Sequence, residues 1–249
     1  MTVCMFPGQG SQFVGMGEEL FGRFADETAL ADDILGYSIA ELCLSDPERK
    51  LRNTRYTQPA VFMINALAWR RWREDTRHAP AFFIGHSLGE YNALEAAGMI
   101  SFEDALRLVQ KRGALMSEAP AGAMAAVLGM TEDRIRETLA ANGLEAIDVA
   151  NLNADTQTIV SGLSEDIARA ATVFESDTVR YVPLNTGGAF HSRYMEDARN
   201  AFAEFVRGFD FAHPSAPVIS NLRAEPYDAS LAADMLVDQI THPVQWARS

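Results

Sequence analysis

The sequence predicts an α/β fold in which a mostly parallel sheet, flanked by helices, is interrupted by a smaller α+β insert. Over the first 118 residues, short apolar runs alternate with helix-length amphipathic stretches, the pattern of βα units that build a parallel sheet. After Pro120 strand-like and helix-like segments follow one another more closely, which marks a second architecture. From about residue 194 helical spacing returns and carries the chain back to the first one. With 249 residues and 48% hydrophobic content, the chain can bury a large core.

Val3 to Phe6 reads as a buried strand broken at Pro7, followed by the turn Gly8-Gln9-Gly10-Ser11-Gln12 and a helix over 16–31. Helical spacing recurs over 58–73, a strand is expected at 81–84, and helices at 90–97 and 102–116. In the insert, strands are expected at 123–130, 158–162 and 178–183, with helices at 132–142 and 164–174. Helices over 194–207 and 231–241 complete the reading, giving a main domain of 1–118 with 186–249 and an insert of 119–185. Neither an internal repeat nor a low-complexity linker is present.

Gly85-His86-Ser87-Leu88-Gly89 lies between the apolar run Ala81-Phe82-Phe83-Ile84 and a helical stretch, where a G-x-S-x-G nucleophile elbow belongs. Such a turn lifts Ser87 to the apex of a bend, and glycine on either side lets the neighbouring backbone pass close by. The apex also meets a helix N-terminus, whose free N–H groups can receive an oxyanion.

A serine hydroxyl needs a base. Of the five histidines, His78 and His213 sit in charged or proline-flanked surface stretches, and His86 leaves the elbow in another direction, where it helps shape the turn. His191 and His242 remain, and His191 is favoured because it follows Gly187-Gly188-Ala189-Phe190 and comes after the serine in the chain. No Asp or Glu between them stands out as a third triad member, so a dyad oriented by a backbone carbonyl is as good a reading.

On the helix opened by Ser101, Ala105, Leu108, Val109, Leu115 and Met116 share one face with Arg112. An arginine in an apolar stripe points inward and needs a carboxylate, from the protein or from a ligand.

The net charge of −13 excludes a nucleic-acid surface. No run of eighteen apolar residues and no leader-like N-terminus is present, so no membrane association and a cytoplasmic location are expected. Cys4 and Cys43 read as buried free thiols. Arg70, Arg71, Arg73, Arg77 and His78, interleaved with Trp69 and Trp72, form either a solvated helix end or a docking patch for an acidic partner.

Taken together, these residues resemble the malonyl-CoA:acyl carrier protein transacylase family, particularly the free-standing acyltransferases that serve polyketide synthases in trans. The matching blocks are Phe6-Pro7-Gly8-Gln9-Gly10-Ser11-Gln12, Thr57-Gln58-Pro59-Ala60, Gly85 to Glu90, Arg112-Gly113 with Met116, Asn151-x-Asn153, Gly188-Ala189-Phe190-His191-Ser192 and Pro243-Val244-Gln245-Trp246. The resemblance implies a hydrolase-like parallel-sheet domain with a ferredoxin-like insert and an acyl site between them. It implies Ser87 as nucleophile, His191 as base and the backbone N–H groups of Gln9 and Leu88 as the oxyanion hole. It further implies Arg112 as the partner of the malonyl carboxylate, with Met116, Phe190, His86 and Asn153 around the substrate and the backbone carbonyl of Gln239 orienting the histidine.

Malonyl-CoA and an acyl carrier protein are the implied partners, the coenzyme A thioester being a substrate; no cofactor and no metal are implied, and a monomer is expected. Related proofreading acyl hydrolases lack the arginine, which sets transfer against the alternative of an acyl-thioester serine hydrolase. The bulky Phe190 resembles the malonyl-selective version of its block, a preference of about 1 to 3 kcal/mol per methyl group. Family members continue past Pro-Val-Gln-Trp through another strand, a Glu-x-Gly-Pro-Gly turn and a helix, so without that segment marginal stability is expected.

Overall fold

A computed structural model describes residues 1–174 and 176–249. Strand β1 (Val3–Phe6) leads through the glycine-rich turn to helices α1 (Glu18–Phe21), α2 (Ala25–Leu35), α3 (Ile39–Leu44) and α4 (Thr54–Asp75). The single helix expected over 16–31 is two: Gly22 closes α1 and the chain kinks before α2, which lets Leu20, Phe21 and Phe24 all reach the core. Helix α3, also unanticipated, starts on a Ser38 cap whose hydroxyl accepts the Glu41 N–H.

Strand β2 (Phe82–Gly85) turns directly into α5 (Gly89–Ala96), and α6 (Phe102–Glu118) follows, with Ser101 accepting the Asp104 N–H as its cap. Helices α4 and α6 pack tightly because of Gly113, where a Cβ would stand 2.9 Å from the Thr54 carbonyl oxygen. That close approach brings Arg112 against α4.

The insert contains β3 (Gly122–Leu128), α7 (Glu132–Ala141), β4 (Asp148–Ala154), β5 (Gln157–Leu163), α8 (Ser164–Phe174) and β6 (Arg180–Pro183). Its sheet is antiparallel throughout, in the order β4-β5-β3-β6, and the βαββαβ sequence is the ferredoxin-like motif. Strand alternation divides its residues between two cores: Ala125 and Val127 pack with Ile135, Leu139, Ile167 and Phe174 of the insert's helices, while Met124 and Ala126 join the main core.

The chain then returns through α9 (Glu196–Val206), the two-residue strand β7 (Val218–Ile219) and α10 (Ala232–Gln239). Strands β1, β2 and β7 form a parallel sheet in the order β1-β2-β7. Gln9, Ser87 and Asn221 all lie just beyond the carboxyl ends of these strands, the crevice where open parallel sheets bind ligands.

Candidate active site

At the end of β2 the backbone reverses so sharply that Ser87 takes φ 52°, in the left-handed region that side chains avoid. The bend is possible because both flanking residues are glycine: a Cβ on Gly85 would collide with the Gly89 carbonyl and one on Gly89 with the Phe6 carbonyl. Asn221 holds the bend: its Oδ1 accepts the Ser87 N–H at 2.6 Å and its Nδ2 donates to the Gly85 carbonyl at 2.7 Å.

Ser87 Oγ stands 2.7 Å from His191 Nε2, and His191 Nδ1 stands 2.8 Å from the backbone carbonyl of Gln239. A carbonyl only accepts, so Nδ1 carries the ring proton and Nε2 is free to take the one on Ser87. The group on Nδ1 is therefore a backbone carbonyl rather than an acid, the arrangement of a dyad. His191 is itself strained at φ 56°. Burial, reinforced by the positive charge of Arg112, pushes the His191 imidazole down to about 3, so it is neutral at physiological pH. His242 is exposed and bonded to the Asp238 carbonyl, while His78 and His213 lie on the surface.

Arg112 is 1% exposed, the largest fully buried side chain among the described residues. Its Nη1 donates to Gln58 Oε1 at 2.8 Å, and its Nη2 to Gln239 Oε1 at 2.8 Å and to Ser87 Oγ at 3.2 Å. Its Nε has no partner among the described residues, nor does any described carboxylate form an ion pair with it. Of the two partners open at the sequence level, the protein carboxylate is thus absent from the guanidinium.

Gln239 links Arg112 to a buried carboxyl. With Oε1 turned to the arginine, its Nε2 donates to the Ser87 carbonyl at 2.9 Å and to Glu90 Oε2. Glu90 Oε1 accepts the Asn221 N–H at 2.7 Å and the Tyr227 hydroxyl at 2.8 Å. Complete burial pushes the Glu90 carboxyl up to about 7, against three donors and Arg112, all of which favour its ionised form.

These groups line a cavity of about 330 Å³ that also includes Gln9, Met116, Met124, Asn153, Ile159, Thr186 and Phe190. Gln9 Nε2 donates to Thr54 Oγ1 at 3.2 Å, fixing the loop above the serine. The backbone N–H groups of Gln9 and Leu88 donate to no acceptor among the described residues, and Leu88 is the N-cap of α5. His86, whose imidazole burial pushes down, stands 3.0 Å from Asn153 Oδ1 and packs beside Trp246.

All ten residues singled out from the sequence thus surround one cavity or support its wall. Gln58, Glu90, Asn221 and Tyr227 were assigned no part. Gln58 and Glu90 stood within the matching blocks; Asn221 and Tyr227 carried no local signal, since their partners lie more than a hundred residues away in the chain. The basic cluster on α4 is largely neutralised: Arg70 pairs with Glu27 and Glu95, Arg71 with Glu19 and Asp75, and Arg73 lies over Trp69. This supports the helix-end reading.

The acyl transferase domain model matches residues 3–248. Among curated proteins, the chain is 48% identical over 248 residues to the polyketide biosynthesis malonyl CoA-acyl carrier protein transacylase BaeC of Bacillus velezensis, covering 99% of this chain and 86% of the relative. It is 52% identical to the polyketide biosynthesis protein ThaF of Burkholderia thailandensis, with 99% of this chain aligned, and spans only 21% of that longer protein. A crystal structure of malonyl CoA-acyl carrier protein transacylase from Burkholderia pseudomallei superposes with a TM-score of 0.98 at 48% identity, covering 100% of this chain and 86% of the other.

Proposed function

The chain belongs to the acyl transferase domain family, and from that premise we propose that it moves a malonyl group from malonyl-CoA, through an ester on Ser87, to the phosphopantetheine thiol of an acyl carrier protein in polyketide or fatty acid synthesis. In the first half-reaction Ser87 Oγ gives its proton to His191 Nε2 and bonds the thioester carbonyl carbon. The oxyanion formed there takes the free N–H groups of Gln9 and Leu88. The C–S bond then breaks, and the coenzyme A sulfur leaves with the proton from His191. In the second half the carrier thiol gives its proton to His191 and attacks the ester carbonyl, and Ser87 Oγ recovers the proton as it departs.

The observation that carries this reading is Arg112: a buried guanidinium, 3.2 Å from the nucleophile, with no carboxylate of its own. A malonyl carboxylate supplies the missing counter-charge, and a neutral acyl group does not. The same feature disfavours a hydrolase of neutral acyl thioesters. Phe190, on the cavity wall, leaves less room for an α-methyl group and so favours malonyl over methylmalonyl.

The chemistry needs no cofactor or metal beyond the thioester substrate. A cytoplasmic location belongs to the same proposal, with Cys4 and Cys43 unpaired as a reducing compartment leaves them. So does a monomeric state, since one chain brings together the serine, its base and the arginine. No helix among the described residues is long and apolar enough to cross a membrane.

The test is intact mass after brief exposure to malonyl-CoA, acetyl-CoA or methylmalonyl-CoA, beside Ser87→Ala and Arg112→Ala. A malonyl adduct that is lost in both variants supports the transferase. Release of free coenzyme A without an adduct points to hydrolysis, and neither product refutes both.

A further inference from the structure

The carrier protein must dock where its pantetheine arm can enter the cavity. The α4 cluster fails this geometry as well as being neutralised. Gln9 is bonded to Thr54 at the first residue of α4, and Gln58 lines the cavity one turn later. Arg71 lies seventeen residues beyond Thr54, which at 1.5 Å per residue places it about 26 Å down the helix.

At the near end the surface is different. The turn that precedes α4 carries Arg49, Lys50 and Arg52, and the first turn of α4 adds Arg55. Lys50 pairs with Glu48 and Arg55 with Glu118, whereas Arg49 and Arg52 are exposed and form no ion pair among the described residues. The turn is rigid: buried Asp46 accepts the N–H groups of Lys50 at 2.6 Å and Leu51 at 3.3 Å, and Arg49 is held at φ 55°. Arg52 is two residues from Thr54, so no more than about 7 Å of backbone separates it from the residue that holds Gln9.

Beside this turn, the loop after Gln9 exposes Phe13 (63%) and Val14 (56%), two of the most exposed large hydrophobic residues among those described. The loop is tied to the end of α3 by the Gly15 N–H on the Cys43 carbonyl at 2.8 Å. Phe13 lies four residues from Gln9, hence within about 14 Å of it.

We infer that Arg49 and Arg52, with Phe13 and Val14 beside them, form the docking surface for an acidic carrier protein. The inference rests on the proposed transfer to a carrier thiol. On a chain of net charge −13 most of the surface repels an acidic partner, so unpaired cations this close to the residue that holds Gln9 fix where the partner settles and raise its encounter rate. The apolar pair offers contact area that the charges alone do not.

The experiment measures the two half-reactions separately in Arg49→Glu/Arg52→Glu, in Phe13→Ser, and in the distal control Arg71→Glu/Arg77→Glu. Acylation by malonyl-CoA is followed by intact mass; transfer is followed as a function of holo-carrier concentration and salt. The expected result is unchanged acylation in all variants, with the KM for carrier raised about tenfold in the double arginine variant and its salt dependence flattened. A smaller rise is expected for Phe13→Ser, and none for the distal control.

Normal transfer by acylated Arg49→Glu/Arg52→Glu overturns the dock and leaves the transferase reading standing. Equal slowing of both half-reactions also overturns it, assigning the arginines to the phosphates that coenzyme A and the pantetheine arm share. A wild-type protein that forms no malonyl adduct overturns the transferase reading, and the dock with it.

Discussion

Arg112 is solvated by two carboxamide oxygens and a hydroxyl and makes no direct ion pair with a described carboxylate, so its charge is available to whatever enters the cavity. Charge-assisted hydrogen bonds are worth about 1.5 to 3 kcal/mol. Arg112→Ala is therefore expected to slow acylation by malonyl-CoA by about 10- to 100-fold while changing acylation by acetyl-CoA far less, as single-turnover mass spectrometry checks. His191 makes a pH prediction. Its base form is the neutral one, and burial pushes its titration down to about 3, so the rate of acylation is expected to stay flat as pH falls from 7 to 5. A rate that halves near 6.5, where an ordinary histidine protonates, would refute this. Glu90 acts on stability in the opposite sense. Its carboxyl titrates at about 7 in the fold and near 4.5 when unfolded, so stability is lost as pH rises through that window, by about 3 kcal/mol in all. Glu90→Gln removes the titration, and its melting temperature measured against wild type is expected to rise between pH 4.5 and 7.

At the scale of elements, the elbow joins β2 to α5 at the cost of a left-handed Ser87. Glycine relieves that conformation and alanine does not, so Ser87→Gly is expected to be more stable than Ser87→Ala by about 1 kcal/mol, or about 3 °C in melting temperature, though neither forms an adduct. Equal melting temperatures would mean that the bend stores no strain. The elbow was legible because its two glycines lie only four residues apart in sequence, and α6 because its apolar spacing and Ser101 cap agree. Strand β4 was not: Asp148-Val149-Ala150-Asn151-Leu152-Asn153-Ala154 holds three residues that strands disfavour, and pairing with β5 and Val244 outweighs their propensity. Strand β7 has two residues, too short for any periodic signal, yet it ends where Asn221 must stand. Ser87, His191 and Arg112, to which the proposed reaction gives the parts of nucleophile, base and carboxylate partner, were readable from local pattern and from family resemblance. Their supports, Asn221 and Tyr227, exist only once distant segments meet.

At the scale of the molecule, Ser87 lies at the end of one sheet and much of the cavity wall lies in the other, so the shape of the cavity depends on what fixes one against the other. Residues 243–246 form one such seam. Val244 is buried and pairs with β4 in both directions, its N–H donating to the Ala150 carbonyl at 2.9 Å and its carbonyl accepting the Leu152 N–H at 2.9 Å. The next residue, Gln245, donates its N–H to the Asn221 carbonyl at 2.8 Å, and Asn221 in turn clamps the Ser87 bend. Trp246 packs beside His86, whose partner Asn153 is again on β4. Val244→Pro removes the N–H that faces Ala150 without altering either domain's own core. Each sheet keeps its hydrophobic cluster, so both domains are expected to stay folded while β4 loses its anchor and the cavity loses its shape. Amide exchange should therefore quicken in β4 and around Asn221 but not in α4 or α6, and malonyl acylation should fall at least about tenfold. Faster exchange throughout the chain would show instead that the seam holds the whole fold together, and unchanged exchange with full activity would show that the shared core alone sets the two sheets in place.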